Sequence, residues 1–481
     1  MTFTNGLVRS ITALCLSLLI ACGVARAAGT PGSTPMPLPN ALMISDIHFD
    51  PFYDPAKASK LAAAPASAWE AILASPDSPT QAADYTAMLA TCKEKAPDTT
   101  YPLLASALRA IQQNAAGARF ITVSGDLLAH EFSCRFATAL PAGTPAQYEA
   151  FVEKTMQYIA DKLEQTLPHA TLYLSLGNND SNCGDYKLDT GTPFLAAVAK
   201  IVGHGMGAAW SADAAKSFGN GGYYSVTMAA PMQSTRLIVV NDIFLGSTYK
   251  TCGGTADTTA GAQQMQWLQQ QLDAARAQHQ HVWVMGHIPP GVNPYSTLKR
   301  GPAAFCAAGK ASMFMATEIL GDTLAKNSDV IRLAIFAHTH MDELRLLGTG
   351  DNSVAVKMVP SISPVNGNEP TFTVAQVDPA SAELADYTVF NASDAAGTMW
   401  AKEYTWSTTY GHKDFTPATL RAVTDAFRAD PNAETPQSKA YIHFFPSSSP
   451  MEELSLVWPA YVCALTHEHA ADYTGCVCGS K

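Results

Sequence analysis

Arg119-Phe120-Ile121-Thr122-Val123-Ser124-Gly125-Asp126 holds in eight residues the pattern that decides the fold. A short apolar run rich in β-branched and aromatic residues reads as a strand buried on both faces. A glycine and a carboxylate follow directly where that strand ends. Outward in both directions the pattern returns. Ala41–Ser45 runs into Asp46-Ile47-His48, and Thr171–Leu176 into Gly177-Asn178-Asn179-Asp180. His281–Met285 runs into Gly286-His287, Arg332–Phe336 precedes His338-Thr339-His340, and Leu237–Asn241 is a sixth such run. Between them lie segments of helical character, Leu103 to Gln113, Gln147 to Leu167, Ala262 to Gln278 and Ala311 to Ala325. Strand and helix in alternation predict an α/β architecture, in which ligands gather where strands end and loops begin.

The fragments at those ends carry hard oxygen and imidazole donors and no cysteine. Asp46 and His48 stand two residues apart, so in an extended segment their side chains point the same way. The same holds for His338 and His340. Carboxylate and imidazole donors suit Zn, Mn or Fe, whereas thiolates would favour softer ions. Two cations ~3.5–4 Å apart, bridged by one carboxylate, form the device that neutralises a phosphate ester and supplies hydroxide at neutral pH. Each fragment alone is common; their order after strands is what points to that chemistry.

The chain has 481 residues, 47% hydrophobic and 15% charged, with a formal charge of −11. That balance is globular. It lacks the basic stripe that a nucleic-acid surface needs, while bound divalent cations would reverse the local field for a phosphate substrate. Residues 1–27 read as an export leader: Arg9 precedes the apolar run Ile11 to Ile20, too short to span a bilayer. Cleavage after Ala25-Arg26-Ala27 competes with lipidation at Cys22 in a lipobox-like Leu19-Ile20-Ala21-Cys22. The expected location is therefore secreted or periplasmic, with anchoring at the outer cell envelope as the alternative. Residues 28–39 read as a Gly/Pro-rich tether. Eight cysteines follow the leader (Cys92, Cys134, Cys183, Cys252, Cys306, Cys463, Cys476 and Cys478), an even number that in an exported chain favours disulfides of undetermined pairing. After about residue 392 the chain turns aromatic-rich and ends in three cysteines, which predicts a small helical subdomain pinned by disulfides over 393–481.

In its motifs the chain resembles the calcineurin-like metallophosphoesterase superfamily, and its flanks resemble the acid sphingomyelinase-like phosphodiesterase branch. The likeness rests on Ser45-Asp46-Ile47-His48-Phe49-Asp50-Pro51 and Ser124-Gly125-Asp126-Leu127-Leu128-Ala129-His130. It continues through Gly286-His287-Ile288-Pro289-Pro290-Gly291, Asn368-Glu369-Pro370 and Tyr461-Val462-Cys463-Ala464-Leu465. It implies a catalytic domain over 40–392 built as a sandwich of two mixed β-sheets flanked by helices. It also implies two divalent metal ions, zinc first and Mn or Fe as options. One ion would take Asp46, His48, Asp126 and His340, the other Asp126, Asn178, His287 and His338. A hydroxide between them would attack phosphorus.

One position departs from the superfamily pattern. A histidine commonly follows the metal-binding Asn, and here that place is Asn179, which cannot act as an acid. The branch also has a histidine four residues after the bridging Asp, kept here as His130, and imidazole titrates near working pH. His130 is therefore the expected general acid, Asn179 a donor to a phosphoryl oxygen, and Asp180 a residue that orients its neighbours. Acid sphingomyelinase carries a saposin-type domain where this chain has only the tether before Asp46. The expected activity is hydrolysis of a small phosphodiester, with a phosphoanhydride (nucleotide or polyphosphate) as the alternative. A tethered binding protein with a vestigial site is the remaining one.

Overall fold

The Arg119 run and its counterparts form strands because Val, Ile, Leu and Phe fit a pleated surface covered on both sides. The structure, a computed structural model, describes residues 37–447 and 453–479. The leader, its two processing sites and residues 28–36 of the tether lie outside the described residues. Twelve strands are present among them: β1 (Asn40–Ile44), β2 (Ala118–Val123), β3 (Thr171–Leu174), β4 (Tyr224–Thr227), β5 (Thr235–Val239) and β6 (His281–Met285). The others are β7 (Ile331–Phe336), β8 (Glu343–Thr349), β9 (Asn352–Met358), β10 (Thr371–Asp378), β11 (Glu383–Ala392) and β12 (Trp400–Thr405).

They make two six-stranded sheets, in the orders β12-β11-β10-β1-β2-β3 and β4-β5-β6-β7-β9-β8. Both are mixed. β1, β2 and β3 run parallel, as do β5, β6, β7 and β9. The remaining pairings, β1–β10, β10–β11, β11–β12, β4–β5 and β8–β9, are antiparallel. The period-two geometry of a strand divides its side chains between two cores. Along β6, Trp283 and Met285 join the core shared with β2, where Trp283 meets the edge of Phe120 at 5.7 Å. Val282 and Val284 point the other way, onto Leu268 and Leu272 of the helix Thr259–Ala277 and Leu324 of the helix Ile319–Lys326. Leu104, Leu108 and Ile111 of the helix Tyr101–Asn114, with Val152, Met156 and Ile159 of the helix Pro145–Thr166, belong to the first core.

Two features differ from the sequence reading. The segment Ala311 to Ala325 is helical only from Ile319, because Met313 and Met315 bridge the loops at Val292 and Gly246 instead. Strands β8 to β12 carried no apolar run to announce them. β11 alternates buried and half-buried residues along its length, the signature of a strand with one covered face.

The tail beyond residue 400 starts as β12 and continues in short helices. Trp406, Phe427, Tyr441, Trp458 and Tyr461 are buried in the first core. Four disulfides form: Cys92–Cys134, Cys183–Cys252, Cys306–Cys478 and Cys463–Cys476. Residues Leu38 onward make one compact unit. No helix among the described residues is long and apolar enough to cross a membrane.

Candidate metal centre

The parallel strands of both sheets end on the same side, and their loops meet there. The loops after β1 and β2 are joined backbone to backbone: the Asp46 N–H donates to Gly125 O (3.0 Å) and the His48 N–H to Asp126 O (2.9 Å). Asp46, His48 and Asp126 have donor atoms within 4.8 Å of one another, and so have Asp126, His287 and His338. Asp126 belongs to both groups. His340 Nε2 lies 3.4 Å from Asp46 Oδ1. All seven residues assigned to metals from the sequence are thus brought together, Asn178 through its Oδ1 at 3.1 Å from His287 Nε2.

The residues' own hydrogen bonds indicate what the cluster lacks. Nδ1–H of His48 donates to Leu128 O (2.8 Å), and Nδ1–H of His287 donates to Ser124 O (2.7 Å). A carbonyl can only accept, so each ring turns its Nε2 inward. His48 Nε2 then lies 3.4 Å and His287 Nε2 3.1 Å from Asp126 Oδ2. Asn178 donates its Nδ2 to Asp185 (2.7 Å), so its Oδ1 also faces the cluster. Asp46 Oδ1, His48 Nε2 and His340 Nδ1 are buried without a hydrogen-bond partner. Lone pairs that converge in a dry site call for positive charge, and the donor set fits two divalent cations.

The electrostatics agree. Burial disfavours charge on His48 and His287, yet Asp126 and the other carboxylates around them, Asp46 above all, together outweigh it and raise them to about 9 and about 10. Burial lowers His338 to about 4 and His340 to about 3. Burial opposes ionisation of Asp46 as well, but His340 and His48 overcome it and hold the carboxyl at about 2. The backbone is strained at the same place. Asp46, His48, Asp126, His338 and His340 have φ of 46°, 43°, 54°, 71° and 67°. Such left-handed non-glycine residues cost about 1–3 kcal/mol each and persist only where the surroundings hold them. Gly177 has to be glycine, since a Cβ there would overlap the Asp126 carboxylate.

Asn179 donates twice to Asp126, from its backbone N–H (2.8 Å) and its Nδ2 (2.9 Å). Asp180 is fully buried and touches backbone only, accepting from Gly177, Leu127 and Leu128 at 2.9, 2.8 and 3.1 Å. Burial, then the nearby Asp126 charge, pushes its carboxyl up to about 7. His130 stacks on His48 with ring centroids 4.0 Å apart and is 29% exposed. Its Nδ1 lies 3.0 Å from Asp98 Oδ1, and its backbone N–H donates to Asp98 Oδ2 (2.9 Å).

Sequence reasoning missed four supporting residues. Asp98, in the loop just before the helix Tyr101–Asn114, orients His130. Arg135 is fully buried, donates to Asp98 (2.9 Å) and to the His130 carbonyl (2.8 Å), and pairs with Asp50. Asp242, just past β5, accepts the backbone N–H groups of His287 (2.7 Å) and Ile288 (3.1 Å). Tyr186 places its hydroxyl 3.1 Å from His338 Nε2. None belongs to a spaced motif, so only an unusual charge within an apolar context could have flagged them. Arg135→Met is expected to destabilise the fold by about 3–5 kcal/mol, because it strands two buried carboxylates. Chemical denaturation checks this, and a loss under about 1 kcal/mol would contradict the pairing.

Curated relatives match most of the chain. The rat cyclic GMP-AMP phosphodiesterase SMPDL3A is 23% identical over 398 residues, 79% of this chain and 82% of its own. The human acid sphingomyelinase-like phosphodiesterase 3b is 24% identical over 349 residues, 69% of this chain and 72% of its own. The chain is a homologue of the acid sphingomyelinase-like phosphodiesterases. Sphingomyelinase phosphodiesterase D of Dictyostelium discoideum is 26% identical over 331 residues, 65% of this chain and 66% of its own. Among solved structures, the calcineurin-like phosphoesterase YfkN of Bacillus subtilis covers 82% of this chain and 97% of its own. That match has 10% identity and a TM-score of 0.28. No protein-family model matches the chain.

Proposed function

We propose that the chain is an exported phosphoric diester hydrolase that works with two divalent metal ions. The observation that carries this reading is the convergence on Asp126 of donor groups from the loops after β1, β3, β6 and β7, with Asp46 Oδ1, His48 Nε2 and His340 Nδ1 left without a hydrogen-bond partner. Asp46, His48, Asp126 and His340 would hold one ion; Asp126, Asn178, His287 and His338 would hold the other. Zinc is the first choice for this donor set, with Mn or Fe as alternatives. When bound, such a pair supplies Lewis acidity and a nucleophile at neutral pH. The chain's own residues do the rest. Asn179 steadies Asp126 and has a second Nδ2 hydrogen to offer a phosphoryl oxygen. Asp180 ties the loops after β2 and β3 together. Asp98 holds His130 Nδ1, which leaves Nε2 to protonate the departing oxygen.

The four disulfides fit an oxidising compartment. Residues 1–27 as leader and 28–39 as tether give the secreted or periplasmic placement, with lipidation at Cys22 as the alternative. Residues 40–392 would be the catalytic domain and 393–481 the accessory subdomain.

A phosphoanhydride substrate is the second reading, and one feature favours it. The cleft beside His338, about 650 Å³, is lined by Tyr186, Asn293, Ser312, Phe314 and Lys310, and by no carboxylate among the described residues. A quaternary ammonium group prefers aromatic faces and negative charge, whereas Lys310 suits an anionic leaving group.

The test is a panel comprising a choline phosphodiester, a dinucleotide, a nucleoside triphosphate, polyphosphate and a phosphomonoester. Each is assayed before and after full metal removal. Diester hydrolysis should disappear with the metal and return with Zn²⁺ or Mn²⁺. Activity that survives complete removal overturns the proposal, and a preference for the triphosphate or polyphosphate selects the second reading.

A further inference from the structure

Two consecutive acidic side chains follow the His338-Thr339-His340 loop into the interior. Asp342 and Glu343 are 5% and 2% exposed. Carboxylates are buried only where partners compensate the lost hydration, and most of these partners come from far along the chain. Lys357, fully buried in β9, donates to Asp342 Oδ1 (2.5 Å) and to Met358 O (2.6 Å). Tyr404 of β12 donates its hydroxyl to Asp342 Oδ2 (2.6 Å), while its ring stacks on Phe444 at 4.5 Å. The Asp342 N–H donates to the carbonyl of Phe445 (2.9 Å). Glu343 accepts from Tyr295 (2.5 Å) and Tyr461 (2.8 Å).

His338 and His340 both sit in the left-handed region, which their own sequence disfavours. On its upstream side the loop is held by the Ala337 N–H on His287 O (2.8 Å). On its downstream side it is held by the Ser361 N–H on His340 O (3.2 Å) and by Asp342, two residues past His340. Three of that side chain's and backbone's contacts come from β9, β12 and the tail helices.

We propose that the C-terminal tail is part of the metal centre: the Tyr404–Asp342–Lys357 clamp holds His338 and His340 in ligating position, which makes Tyr404 a positioning residue. This rests on the metal-centre reading above. The tail then reaches the site through two contacts on Asp342, from the Tyr404 hydroxyl and the Phe445 carbonyl, beside the one from Lys357 of β9.

The experiment compares two variants of the full chain, stripped of metal and titrated with Zn²⁺ against a chromogenic chelator, with a thermal melt alongside. Tyr404→Phe keeps the ring and removes one hydrogen bond to Asp342. Phe427→Leu loosens the tail core, where Phe427 packs on Tyr441 and Trp458 (5.1 and 5.2 Å), without touching the clamp. Tyr404→Phe should weaken metal binding about 10–100-fold, the usual effect of removing a group that orients a ligand. Phe427→Leu should lower the melting temperature and bind metal as the unaltered chain does. The clamp is refuted if Tyr404→Phe binds within about two-fold of the unaltered chain, well short of that range. It is equally refuted if Phe427→Leu weakens binding as much as Tyr404→Phe. An unaltered chain that takes up no metal instead refutes the metal centre itself, and the clamp with it.

Discussion

Asp126→Asn is expected to lower kcat/KM for a phosphodiester by about 10²–10⁴-fold, the rate equivalent of the several kcal/mol that bound metal supplies. Metal content should fall from two equivalents per chain to one or none. Asp126 is the residue common to both donor groups among the described residues. Its Oδ2 lies 3.1 Å from His287 Nε2 and 3.4 Å from His48 Nε2. An amide presents one oxygen and an NH₂ group that cannot ligate, so one side of the bridge is lost. The fold need not suffer. Burial and then the Asp126 charge raise the Asp180 carboxyl, and a neutral Asn removes the second of these. The melting temperature should therefore hold while metal and turnover are lost, a combination that separates ligation from stability. Two equivalents of metal with near-normal turnover would dismiss Asp126 as the bridge.

His130→Ala should slow esters with poor leaving groups by about 10²–10⁴-fold, the usual worth of a positioned general acid. A nitrophenyl diester, whose leaving group departs without a proton, should be nearly unaffected. The prediction follows from geometry. His130 is stacked on His48 at 4.0 Å and tied at Nδ1 to Asp98, while its ring stays 29% exposed. Asp98→Asn should give a smaller loss with the same dependence on leaving group, since it frees the ring without removing it. Equal losses across good and poor leaving groups would mean that His130 holds the site in shape and donates no proton.

The strands most visible in the sequence were those whose two faces are both covered. β1, β2, β3, β5, β6 and β7 each show as an apolar run, because burial on both sides demands it. Strands β8, β9 and β10 are also buried over most of their length, but Arg345, Lys357 and Thr373 break up their runs, while β11 and β12 each keep a half-buried or exposed face. The clustered His, Asp and Asn residues proposed as metal donors were legible for a related reason. Each follows directly on a parallel strand, and the chemistry restricts the residue type to a few donors. Asp98, Arg135 and Asp242 were not legible, as nothing local distinguishes a buried charged side chain from a surface one. Their partners lie 32, 37 and 45 residues away.

By itself the sequence determined the α/β alternation, the donor atoms offered at the strand ends, and the even set of eight cysteines after residue 27. These depend on side-chain type and on periods of two or 3.6 residues, which a linear chain records. The tertiary structure decided how the cysteines pair and which His ring nitrogen faces inward. It also decided that five donors sit in left-handed backbone, and that the tail reaches back to Asp342. Each of these depends on atoms brought together across tens to hundreds of residues. Burial then sets the worth of every such contact, and burial belongs to the folded chain alone.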